Sequence, residues 1–149
     1  LVSRGIEAGI LPAVRGLGIA ITAYGVLSRG LLTGTLPATI ADARARMPRF
    51  QGENYRRNRH LAEALASVAG RRGITASQLA IAWVLSRGAD IVPLIGTTKR
   101  QRLAEAINAL DIRLSPEESA EIEAAVSPQA VAGTRYATEQ MTHLDSEKA

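Results

Sequence analysis

Short apolar runs alternate with longer amphipathic segments along this chain. The two short runs, residues 19–24 and 91–95, are rich in β-branched side chains and predict buried strands. Pro93 has no N–H to donate inside a ladder, so we expect a bulge or a strand end there. Helical spacing predicts helices over residues 6–17 and 55–70. The second helix places four apolar residues on one face: Leu61, Leu65, Val68 and Ala69.

Two capping boxes mark further helix starts. Thr75 and Gln78 are spaced to bond each other's backbone N–H groups, which predicts a helix through the apolar residues 79–85 that ends near Gly88. Ser115 and Glu118 repeat the pattern, with Pro116 at the first helical position, and predict a helix to about residue 126.

The remaining segments are less regular. Residues 99–110 predict a helix after the loop 96–98, and residues 37–54 predict a long surface excursion with one helical turn around 40–46. Residues 129–149 predict an irregular tail with one helical turn. This order of helices and strands is typical of parallel α/β units. Two strands cannot bury both of their faces, so either the sheet continues outside this chain or it contains more strands than the pattern reveals.

Composition excludes several classes of protein. The chain is 46% hydrophobic with a net charge of +4, and this composition is too apolar for a disordered chain. Its 149 residues are enough to form the core of one domain. The absence of cysteine excludes disulfides, cysteine-ligated metals and a thiol nucleophile. No apolar stretch reaches the roughly 20 residues of a membrane helix. The first residues lack the pattern of a signal peptide, so we expect a cytoplasmic protein.

The positive charge is almost entirely arginine, since Lys99 and Lys148 are the only lysines. The one dense set is Arg44, Arg46, Arg49, Arg56, Arg57 and Arg59. Such a set favours a solvated loop over an anion site. His60, which we expect to open a helix, and His143 have no partner at metal-ligand spacing, and both are interpreted as surface residues. No dinucleotide glycine fingerprint, phosphate loop or nucleophile elbow is present.

Two glycine-containing basic loops directly follow the predicted strands. Residues 24–34 contain Arg29, whose guanidinium matches phosphate, and Tyr24, whose ring offers a flat face. Residues 96–102 open a helix, where free backbone N–H groups attract anions. Ligands of α/β proteins bind at the carboxyl ends of the strands. The two loops are therefore either a phosphate or pyrophosphate site or two ordinary polar connections.

Four motifs resemble the aldo-keto reductase family in order and spacing. Residues 17–34 look like the segment of its seventh barrel strand, and residues 75–85 look like the helix before its eighth strand. Residues 95–99 with 103–105 resemble its eighth-strand phosphate loop. Residues 133–136, Gly-Thr-Arg-Tyr, are similar to a tail motif of bacterial members.

The resemblance implies an α/β fold that is the C-terminal portion of a (β/α)₈ TIM barrel. Residues 1–149 would be one partial barrel domain that begins after the sixth strand and lacks the N-terminal half. The activity implied is NADPH-dependent reduction of aldehydes and ketones, with a small-molecule carbonyl substrate and neither nucleic acid nor membrane as partner. The family's catalytic Asp, Tyr, Lys and His lie on earlier strands and have no counterpart here, so we expect this chain alone to be inactive.

The resemblance also implies a binding site for NADP(H). Tyr24 matches the aromatic residue that stacks on the nicotinamide ring. The residues that match the loop around the pyrophosphate and ribose are Gly25, Leu27, Ser28, Arg29 and Gly30. Those that match the 2′-phosphate site are Gly96, Thr98 and Arg102, with Lys99 as a helper, and Glu105 matches an acid at the adenine.

Three positions depart from the family pattern. Gly25-Val26 stands where Ser-Pro is common, which loosens the turn after Tyr24. Ile95 stands where many members have Pro before the glycine, and Ala106 replaces an asparagine at the adenine. None of the three removes a charge, so NADP is favoured over NAD.

Two alternatives remain at this point. A protein of the same fold could bind nucleotide as a sensor, as a regulatory subunit without turnover. Residues 74–88 could instead be half of a helix-turn-helix in a small basic DNA-binding protein. The apolar residues 79–85 argue against the latter, because they suit a buried helix better than one facing a groove.

Overall fold

The computed structural model describes residues 1–34 and 41–144. Within them two short strands, β1 (Ile21–Ala23) and β2 (Ile91–Pro93), pair in parallel with Ile21 opposite Ile91. The ladder continues one residue further, where the Leu94 N–H donates to the Ala23 carbonyl at 2.8 Å. The parallel pair confirms the α/β arrangement that the order of elements predicts, and Pro93 lies at the strand end as expected.

Six α-helices accompany the strands in the described residues. They are α1 (Ile10–Gly16), α2 (Gly52–Arg71), α3 (Ala76–Ser86), α4 (Arg100–Asn108), α5 (Pro116–Ala125) and α6 (Thr138–Met141). The chain crosses from β1 to β2 through α2 and α3, and short 3₁₀ turns fill several connections. One of these, Gly5–Glu7, replaces the first turn of the helix predicted over residues 6–17.

Both capping boxes are confirmed. The Gln78 N–H donates to Thr75 Oγ1 at 3.1 Å, and the Thr75 N–H donates to Gln78 Oε1 at 3.0 Å. At α5 the Glu118 N–H donates to Ser115 Oγ at 3.2 Å, and the Ser115 N–H donates to Glu118 Oε2 at 2.7 Å. Each box satisfies two N–H groups that have no partner inside the helix, so it defines where the helix begins.

The helix predicted over residues 55–70 begins one turn earlier, at Gly52. His60 therefore lies inside α2 rather than at its start, and its exposed ring approaches Glu63. On the predicted apolar face Leu65, Val68 and Ala69 are buried, whereas Leu61 is only half-buried.

The expectation that both strands are buried is wrong. Ile91 faces the helices and is buried, but the opposite face of the sheet is open, with Val92 and Leu94 each 51% exposed. Alternate residues of a strand point to opposite faces, and the helices in the described residues cover only one of them. The pattern of β-branched residues therefore identified the strands, but it did not show that helices cover only one face of the sheet in the described residues.

The core is built around α3. Residues Leu79 to Val84 of this helix are all buried, at 7% exposure or less. Leu32, Leu65, Ile122 and Val126 pack into the same cluster. A helix buried on every side cannot present a face to a DNA groove, so the structure does not favour the helix-turn-helix alternative.

The excursion after β1 is only partly an exposed loop. Its helical turn is a 3₁₀ helix over Ala43–Arg46, while residue 40, at the edge of the predicted turn, lies outside the described residues. Arg56 and Arg59 form exposed ion pairs on α2, as expected of a solvated set. Arg49 is different: it is only 7% exposed and its Nε donates to the Gly133 carbonyl at 3.2 Å. The prediction of a solvated loop is wrong for that residue, because the tail covers it.

In the described part of the chain, no helix is both long enough and apolar enough to cross a membrane. The helical turn expected in the tail is α6, and residues 145–149 of that tail lie outside the described residues.

Candidate functional site

The loop after β1, residues 24–34, turns sharply through left-handed backbone. Gly25 has φ +69°, and Ser28 and Arg29 have φ values of +47° and +57°. Non-glycine residues in this region are uncommon and concentrate at functional sites. The Ser28 N–H donates to the Gly25 carbonyl at 2.8 Å, so glycine allows a closed turn where the family commonly has Ser-Pro. Val26 beside it is buried.

The loop after β2 leads into α4. Thr97 Oγ1 accepts from the Lys99 N–H at 3.1 Å, and the helix begins at Arg100 without a cap from the side chain of Lys99. The first N–H groups of a helix have no intrahelical partner and carry the positive end of its dipole. The start of α4 is therefore a local environment suited to an anion.

The two loops frame one groove of about 560 Å³. Its size is that of a typical small-molecule or cofactor site. Arg29 lines it from the first loop, and Arg102 lines it from the first turn of α4. Seven of the residues expected to bind cofactor line it: Gly25, Leu27, Arg29, Gly30, Gly96, Arg102 and Glu105.

Gly25 and Gly96 leave room in this groove. A Cβ built on Gly25 or on Gly96 would meet no atom within 4 Å. Backbone at these points is therefore open to close approach by a ligand, and a side chain would fill that space. The backbone N–H groups at these glycines and the guanidinium groups beside them are hydrogen-bond donors that fit a phosphate group.

Sequence reasoning missed a cationic residue that lines the groove. Arg44 lines it from the excursion, and its Nη1 donates to the Arg29 carbonyl at 3.0 Å. Asp42 holds Arg44 through an ion pair of 2.6 Å and raises the pKa of its guanidinium. The Asp-x-Arg spacing was visible in the sequence, but nothing local indicated that the excursion folds back against Arg29.

Glu105 lies at the groove wall and accepts a hydrogen bond from Thr75 Oγ1. The capping residue of α3 thus orients the carboxylate on α4 that the resemblance assigns to the adenine end. Thr98 and Lys99 are exposed at the entrance to α4 and do not line the groove.

Tyr24 and Ser28 line a second, adjoining groove of about 430 Å³, which Arg29 also lines. Tyr24 is 59% exposed, and the tail meets it there. Arg135 Nη1 donates to Tyr24 Oη at 2.8 Å, and the Arg29 guanidinium lies 4.8 Å from the centre of the Tyr136 ring. Interaction between the Tyr24 and Tyr136 hydroxyls raises the pKa of Tyr24 and lowers that of Tyr136.

The fold and this arrangement define an α/β protein in which loops at the carboxyl ends of two parallel strands enclose a basic groove. Comparison with known proteins then gives the family. The model of the aldo/keto reductase family matches residues 1–127, and the chain belongs to that family.

Two relatives show the extent of the likeness. A probable aldo-keto reductase of Glycine max is 42% identical over 139 residues, which cover 90% of this chain. The solved structure of a glycerol dehydrogenase from Gluconobacter oxydans is 30% identical, covers 84% of this chain and superposes with a TM-score of 0.72. The chain spans 40% of the length of each relative. Its fold is therefore that of part of an aldo-keto reductase barrel.

Proposed function

We propose that this chain is the cofactor-binding portion of an aldo-keto reductase, an oxidoreductase that uses NADP(H) to reduce small aldehydes or ketones to alcohols. The observation that carries the proposal is the groove that the loops after β1 and β2 share and that Arg29 and Arg102 both line. In this proposal β1 and β2 are the seventh and eighth strands of the barrel, and the protein is cytoplasmic.

The residues of the groove divide by chemistry. Arg29, with Arg44 beside it, holds the pyrophosphate, because guanidinium groups present a planar fork of donors to phosphate oxygens. Arg102 and the start of α4 hold the 2′-phosphate of the adenosine. Gly96 lets that phosphate approach the backbone, and Glu105 lies at the adenine.

At the other end, Tyr24 supplies the ring face against which the nicotinamide is oriented. When bound, NADPH supplies the hydride that reduces the carbonyl carbon. An acid outside this chain would protonate the alkoxide oxygen. The tyrosines of this chain are not assigned that role. We therefore expect the isolated 149-residue chain to lack reductase activity.

The test is a fluorescence titration of the full-length protein with NADPH, followed by turnover of NADPH on a panel of aldehydes and ketones. We expect saturable binding and oxidation of NADPH that depends on the carbonyl compound. Absence of NADPH binding would refute the proposal. Binding without turnover on any carbonyl would indicate a nucleotide sensor instead of an enzyme.

A further inference from the structure

The tail segment Ala132–Tyr136, here called the strap, is fixed at one end by a buried asparagine. Asn58 of α2 is fully buried, and its Nδ2 donates to the Ala132 carbonyl at 2.7 Å. Its Oδ1 accepts from the Ala132 N–H at 2.9 Å. One side chain thus pairs with both backbone groups of a residue 74 positions away, as a neighbouring strand would.

The next residue redirects the chain. Gly133 has φ +80°, and a Cβ there would lie 3.0 Å from the Pro48 carbonyl, so only glycine fits this close approach. Its own carbonyl accepts from the buried Arg49. The backbone of the strap is therefore held on the excursion, and the side chains that follow it are held in a defined direction.

Those side chains contact two of the residues assigned to the cofactor. The Arg135 guanidinium lies 5.7 Å from the centre of the Tyr24 ring and donates to its hydroxyl. The Tyr136 ring lies against the guanidinium of Arg29, which also donates to Met47 Sδ at 3.3 Å. Arg135, Tyr136, Tyr24 and Arg29 all line the second groove.

We propose that Arg135 is a gate at the nicotinamide end of the site: its guanidinium lies against the Tyr24 ring and hydroxyl in the free protein and moves away when the nicotinamide ring stacks there. The inference rests on the proposed function. The backbone at Ala132 and Gly133 stays anchored, so opening is a rotation of the long, half-buried side chain of Arg135. Cofactor binding must then break the hydrogen bond and the ring contact of Arg135, which lowers the affinity for the nicotinamide half alone.

The test compares wild type with Arg135→Ala for two probes, NADPH and adenosine 2′,5′-bisphosphate, which lacks the nicotinamide. We expect Arg135→Ala to bind NADPH about threefold to tenfold more tightly, since a cation–π contact and a hydrogen bond no longer compete. Affinity for the bisphosphate should not change. The direction of the change in NADPH affinity is diagnostic, because loss of a positive charge by itself weakens binding of a polyanion.

Arg59→Ala is the matched control, since Arg59 pairs with Glu63 on α2 and lines neither groove. It should leave both affinities unchanged. Unchanged or weaker NADPH binding by Arg135→Ala, or an equal gain for the bisphosphate, would overturn the gate while leaving the proposed function intact. Failure of the wild-type protein to bind NADPH would overturn both.

Discussion

Replacing Arg102 with alanine should weaken NADPH binding by about 10- to 100-fold, because a charge-assisted hydrogen bond contributes roughly 1.5–3 kcal/mol. NADH lacks the 2′-phosphate that we assign to Arg102, so its affinity should change far less. Fluorescence titration of both nucleotides with wild type and Arg102→Ala measures the difference directly.

Arg100→Ala provides the control for this prediction. Arg100 begins the same helix, carries the same charge and does not line the groove. Its loss should reduce NADPH affinity by about threefold or less, because exposed charges at a distance are screened by salt. Equal losses for NADPH and NADH in Arg102→Ala would show that the 2′-phosphate does not bind there.

Replacing Asn58 with alanine should destabilise the fold by about 2–4 kcal/mol. The substitution leaves the N–H and carbonyl of Ala132 and the carbonyl of Arg49 without this partner, and each unsatisfied buried group costs roughly 1–3 kcal/mol. Urea unfolding followed by the fluorescence of Trp83, the single tryptophan of this chain and a buried residue, reports the change.

Asn108→Ala is the matched control for Asn58→Ala. Asn108 is exposed at the end of α4, so its replacement should alter stability by about 0.5 kcal/mol or less. A loss in Asn58→Ala no larger than that of the control would mean that the strap is not held by this side chain.

Features that depend on neighbouring residues were predictable from the sequence. The capping boxes at Thr75 and Ser115 are local hydrogen-bond patterns, and both were confirmed. The two strands were recognised from their β-branched residues, and glycine with arginine in the following loops indicated the groove. The resemblance added the family, which the comparisons confirm, and named residues whose roles stay predictions.

Features that depend on distant contacts were not predictable. Arg49 lies in the excursion and Asn58 lies in the predicted helix 55–70, both as polar residues expected to face solvent. The tail folds over them, and both are buried. The contact between Tyr24 and Arg135 joins residues 111 positions apart, and no periodicity indicates such a pair. The open face of the sheet likewise depends on which layers pack against it, and this information is absent from the strands themselves.

The most direct measurement of the cofactor site is the NADPH affinity of Gly96→Val. A Cβ at Gly96 would meet no atom within 4 Å, and the residue requires no left-handed backbone, so we expect the fold to tolerate valine. Gly70 in α2 has the same open surroundings, and valine is no worse than glycine in a helix, so Gly70→Val is the control. We predict that the control binds NADPH like wild type and that Gly96→Val, with an unchanged thermal midpoint, loses binding. Wild-type affinity in Gly96→Val would contradict a phosphate site at this loop.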